Sequence, residues 1–116
     1  MRIGQVVGKL SLSRVHPSLS GQRWVIVRPF DLEELEFHTG PFVGPNYRRK
    51  NPVLEELVVL DELGASLGGW IAFSEGGEAA APFHPEKKPV DAYVACLLDE
   101  ITINERAAAM LAAAGA

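Results

Sequence analysis

No apolar run in this chain is long. Short β-branched stretches, WVIVR at residues 24–28, VVLD at 58–61 and WIAF at 70–73, are each cut off by glycine or proline, of which the 116 residues hold eleven and eight. Proline removes a ladder donor and glycine weakens regular elements, so this punctuation suits short strands joined by turns and bends rather than a helix bundle. The texture predicts one mostly β domain, a small barrel or sandwich.

Residues 2–15 read as one long, coiled first strand, in which Gly4 and Gly8 allow a sharp bend or a close backbone approach. A polar loop follows at 16–22, and 24–28 form a second strand that stops at Pro29. Residues 58–61 begin a third strand, the glycines of ELGASLGGW force a turn, and 70–73 form the fourth. After a turn at 75–78 and a proline-rich connection at 82–89, residues 90–101 carry the fifth strand, whose 93–98 core reads as buried on both sides. The tail NERAAAMLAAAGA has Asn104 as a helix N-cap and ends at Gly115, so 104–116 is expected to be a short helical tail. About ten helical residues are marginal alone in water, so this helix needs a surface to dock on.

Between residues 31 and 56 the strand period disappears. An acidic cluster at 31–36, a Pro/Gly stretch at 40–45 and a basic cluster at 47–50 occupy a loop of a length that is usually either functional or disordered. Asn51 and Pro52 suit the start of a brief helical turn, with Glu55 and Glu56 near its positive end.

Eleven basic residues against fifteen acidic ones give a net charge of −4, which disfavours nucleic acid as a partner because phosphate contacts need clustered Lys and Arg. No segment approaches the roughly 20 apolar residues of a membrane span, and the opening residues are interrupted by Gly4, Lys9 and Ser11, unlike a signal peptide. One cysteine, Cys96, leaves no internal disulfide, suits a reducing cytoplasm, and in mid-strand is expected to act as a small buried hydrophobe.

His16, His38, His84 and Cys96 are zinc-ligand types, but none forms a closely spaced pair, so no metal is expected. Asp61 with Glu62, Asp91, and Asp99 with Glu100 stand at strand ends, where carboxylates usually are solvated or accept backbone N–H bonds. Ser18 lacks the context of a hydrolase nucleophile, and GASLGG is not followed by the helix and Lys of a phosphate loop. No catalytic residue and no cofactor are expected. Trp24 and Trp70 lie in apolar strand runs and read as core or interface anchors.

Four pieces in order carry a resemblance: the opening Gly4, Val6 and Gly8; Leu19, Gly21, Gln22 and Arg23 leading to Pro29, Phe30 and Asp31; residues 58–61 with Gly64, Ala65 and Gly68; and Pro89 to Ala92 followed by Leu98 and Asp99. Together they resemble the bacterial microcompartment vertex protein family, the EutN/CcmL group, over most of the chain. Two departures stand out. The loop at about 31–56 is longer than the family's, forming an insertion in a barrel domain of residues 1–103. Ser66 replaces a glycine of the family's motif, and Gly69 stands where the family usually has Glu.

The resemblance implies a five-stranded OB-like β-barrel with a short C-terminal helix, assembling as a homopentamer that caps the five-fold vertices of a cytoplasmic protein shell built from hexameric tiles. The subunit interface or five-fold axis is then expected at Gly64, Ala65, Ser66, Gly68, Gly69, Val90, Asp91, Leu98 and Asp99, and contact with shell tiles at Arg48, Arg49 and Lys50. Residues 90–101 and the helical tail are expected to pack partly on a neighbouring subunit. Two other classes fit a small barrel: an OB-fold module binding an oligonucleotide or oligosaccharide, and an enzyme whose site is completed between subunits.

Overall fold

The computed structural model describes residues 1–31, 40–41, 55–103, 110, 113 and 114. The strands are β1 (Arg2–Leu10), β2 (Trp24–Phe30), β3 (Gly40–Pro41), β4 (Leu57–Leu60), β5 (Trp70–Glu75), β6 (Ala92–Leu97) and β7 (Glu100–Ile101). Five of them close a barrel in the order β1-β2-β4-β6-β5, with β5 returning to pair with β1. All neighbours are antiparallel except β4 and β6, which meet in parallel at Leu60 and Tyr93. The expected five-stranded barrel is therefore present, and Met110, Ala113 and Ala114 in the tail are helical.

Alternation builds the core. Val25, Val27, Val59, Ile71, Phe73 and Val94 are fully buried and, with Val6, fill the interior. A second cluster gathers Leu19, Leu60, Ala79 and Val90, with Trp24, Phe83 and Tyr93 packed against it. A third joins Phe30 and Trp70, whose rings lie 4.7 Å apart, to Ile3, Leu98, Ile101 and Ile103.

Element boundaries depart from the sequence reading in several places. β1 ends at Leu10 rather than residue 15, and its register with β2 shifts between Val6 and Gly8, a bulge that bends the strand around the barrel. β2 runs through Pro29 to Phe30. Its outer neighbour β4 reaches only as far as Val27, so the N–H that proline lacks is not missed on that side.

The turn expected after β5 starts a helix, α1 (Gly77–Ala80), which continues as a 3-10 turn at Ala81–Phe83 and buries Ala79 in the second cluster. The last strand is not buried on both sides. Beyond Val94 a register shift against β5 leaves Ala95, Cys96 and Leu97 exposed, so Cys96 is a surface thiol and not a core residue. The chain then breaks at Leu98 and Asp99 before β7 pairs with β3, a two-stranded ribbon that the sequence reading did not contain.

The brief turn expected at Asn51 and Pro52, most of the acidic cluster, and the Asn104 cap lie outside the described residues. The described acids that follow, Glu55 and Glu56, pair instead with Arg2 and Arg28 on β1 and β2, at 3.3 and 2.7 Å.

Candidate functional site: the loop between β4 and β5

The segment joining β4 to β5 is wound around one carboxylate. Asp61 is 2% exposed. Its Oδ1 accepts the N–H groups of Leu63 and Gly64 at 2.9 and 3.0 Å, and its Oδ2 accepts that of Ala65 at 2.8 Å. Arg23 closes the arrangement, with Nη1 2.9 Å from the same Oδ2 and Nη2 donating to the Ala65 carbonyl. An aspartate that accepts successive backbone N–H groups fixes a tight turn. Gly64 and Gly68 take the positive φ angles that this path needs, +82° and +83°. The strand-end carboxylate is thus a turn acceptor.

The second half of the loop is stitched to β1. Gly68 donates to the Val6 carbonyl at 2.8 Å, Val6 donates to Gly69 at 2.9 Å, and Gln5, 3% exposed, donates from Nε2 to the Gly68 carbonyl at 3.1 Å. Held at both ends, the loop presents Leu63 and Leu67 outward, 48% and 61% exposed. Glu62 accepts a 2.6 Å hydrogen bond from the Tyr93 hydroxyl. That bond, then burial, then the Glu62 charge push the phenol up to about 12.

The residues singled out from sequence divide into three groups. Gly64, Ala65, Ser66 and Gly69 come together with Leu98 around a cavity of about 170 Å³, also lined by Trp70 and Leu97. Gly68 lies buried beside this cavity, against β1, and Asp99 is exposed just beyond Leu98, whose N–H donates to Trp70. Val90 and Asp91 are elsewhere: Val90 is 6% exposed in its own subunit's core, and the Asp91 carbonyl accepts from Gly76. Arg48, Arg49 and Lys50 lie outside the described residues. Sequence reasoning missed the loop's exposed leucines, although an unpaired Leu between glycines was the available signal.

Other titratable groups are dispersed. His16 Nδ1 lies 2.6 Å from Ser18 Oγ and caps a 3-10 turn, and His84 stands across an open groove of about 850 Å³ whose walls include Ala80 and Lys87. Among the described residues no three His, Cys, Asp or Glu side chains gather as a metal site. Trp70 is a core residue, 3% exposed, while Trp24 is half-buried against the second cluster.

A closed barrel in this strand order, crossed at one edge by a braced glycine loop with apolar residues on its outside, defines an OB-like barrel class. Known proteins narrow the class. The family model described as ethanolamine utilisation protein EutN/carboxysome matches residues 1–99. The chain belongs to this EutN/CcmL family. The carboxysome shell vertex protein CcmL of Gloeobacter violaceus is 28% identical over 106 residues, 91% of this chain and 90% of the relative. The solved structure of Gloeobacter violaceus CcmL superposes with a TM-score of 0.68, covering 90% of this chain and 91% of that one. A pentameric microcompartment shell protein of Rhodospirillum rubrum, GrpN, shares the fold at a TM-score of 0.66 and 22% identity, covering 90% of this chain and all of the other.

Proposed function

We propose that this chain is a structural protein that assembles as a homopentamer and caps the five-fold vertices of a bacterial microcompartment shell. The observation that carries the reading is the family match across residues 1–99 of a chain whose barrel superposes on a relative named as a shell vertex protein. The physical argument is geometric. A sheet of hexagonal tiles closes only at five-fold points, and a ring of five needs a head-to-tail contact whose rotation closes at that number.

In this reading the partners are further copies of the chain and hexameric shell tiles, and the chain does no chemistry of its own. The barrel domain spans residues 1–103 with the insertion at about 31–56, and 104–116 is a tail. We assign the subunit boundary to the loop carrying Gly64, Ala65, Ser66 and Gly69, together with Leu98 and Asp99. Arg48, Arg49 and Lys50 are assigned to contacts with adjoining tiles.

Native mass spectrometry tests the reading. The expected species has five times the 12.6 kDa chain mass. A single copy at every attainable concentration, or a ring of another number, overturns it. Co-expression with hexagonal shell proteins supplies the functional arm: closed polyhedral particles are expected with this chain present, and open or tubular assemblies in its absence.

A further inference from the structure

We propose that Leu67 of each copy seats in the cavity between the β4–β5 loop and the end of β6 in the adjoining copy, so that one loop supplies both halves of the contact between subunits. The inference rests on the ring reading above and adds to it the residues that meet.

The cavity of about 170 Å³ is walled by Ala65, Ser66 and Gly69 on the loop, by Trp70 and Leu97 on β5 and β6, and by Leu98 just past the end of β6. Cavities near 150 Å³ with apolar walls admit a benzene-sized group, so this one has room for a single aliphatic side chain. Leu67 is such a side chain, 61% exposed and not among the cavity's walls. Leu97, at the cavity rim, is 48% exposed. An apolar projection and a mostly apolar recess thus adjoin at this loop, and both are open to solvent in the single chain.

The occupant is a second copy. In a closed ring of identical heterologous contacts, every chain must carry two different surfaces that complement each other. A projection flanked in the chain by residues of the recess meets that need only where equivalent loops of neighbouring chains come close, which places the loop near the rotation axis. The loop is also held before assembly, by Asp61 and Arg23 at one end and by Gln5 and Val6 at the other, so little freedom is lost when Leu67 docks.

Sedimentation velocity over a concentration series, on the full chain, tests this. Leu67→Asp is expected to raise the concentration at half-dissociation of the five-copy species at least tenfold, while the thermal unfolding of the dissociated chain stays unchanged, since Leu67 is exposed. Leu97→Trp, which fills the recess, is expected to shift assembly in the same direction. As a check independent of stability, Leu67→Cys with Leu97→Cys in a Cys96→Ser background should give covalent multimers up to five copies under oxidised glutathione. If wild type forms five-copy rings and Leu67→Asp forms them at the same concentration, or if the cysteine pair yields no multimers, the docking of Leu67 is overturned and the ring reading stands. If wild type forms no ring, both fall.

Discussion

Gly4 sits on β1 between β2 and β5, where there is no space for a side chain. A methyl group there would lie 2.5 Å from Val27 Cγ1, 2.9 Å from the Arg28 carbonyl and 3.1 Å from the Phe73 ring. Backbone and core cannot both give way, so Gly4→Ala should cost about 1–3 kcal/mol in a urea titration of the protomer. Asp61 is the second residue on which local order depends. Asp61→Ala leaves three loop N–H groups without their acceptor and Arg23 without its carboxylate, and should lower stability by about 3 kcal/mol. Tyr93 supplies a pH signature. Because its folded-state value is raised above the ordinary 10 to about 12, its hydrogen bond to Glu62 contributes fully below pH 10 and is lost as pH rises through 12. Wild type should therefore be more stable than Tyr93→Phe at pH 8, with the gap closing between pH 10 and 12. Gly4 was legible from sequence as a bend or a close approach, since only glycine serves either purpose. Asp61 was legible only as a strand-end carboxylate, because its pairing with Arg23 spans 38 residues of chain.

The positions of β4 and β5 followed from short apolar runs bounded by glycine and polar residues. Strand ends did not. β2 passes through Pro29 because its outer partner has already stopped, a fact about β4 that no local pattern in β2 contains. Likewise the apolar run of β6 suggested burial on both faces, yet a register shift against β5 turns Ala95, Cys96 and Leu97 to the surface. An apolar strand exposed in one chain is a surface that association can cover. The helical tail follows the same logic, with Met110 64% exposed and Ala113 and Ala114 also exposed. Removing residues 104–116 should accordingly loosen the ring, read as a lower mass in dilute native mass spectrometry, and leave the barrel's circular dichroism unchanged. Equal mass at the lowest measurable concentration would assign the tail a task other than association. The ion pairs Arg2–Glu55 and Arg28–Glu56 add little stability at half-exposed sites, about 0–1 kcal/mol each, and act by fixing where the long connection rejoins the barrel.

At the scale of the whole molecule, the architecture was legible through the order of four short sequence pieces, and the strand count through glycine and proline punctuation. The β3–β7 ribbon was not, because two residues opposite two residues carry no periodicity. The outward surface of the glycine loop was also hidden. Its composition marks a turn, whereas its display of Leu63 and Leu67 depends on Asp61, Gln5 and Arg23, drawn from three strands or their ends. Closure itself has an uneven quality. Four of the five contacts between adjacent barrel strands are antiparallel ladders of at least four residue pairs, and the fifth is the single parallel match of Leu60 with Tyr93. The cylinder therefore has a zipper with one tooth. Breathing should begin there, and in hydrogen exchange on the dissociated chain the backbone amides at the Leu60–Tyr93 seam should lose their protons to deuterium before those of β2 and β5. A container corner made of such units would flex along five of these lines while its cores stay shut.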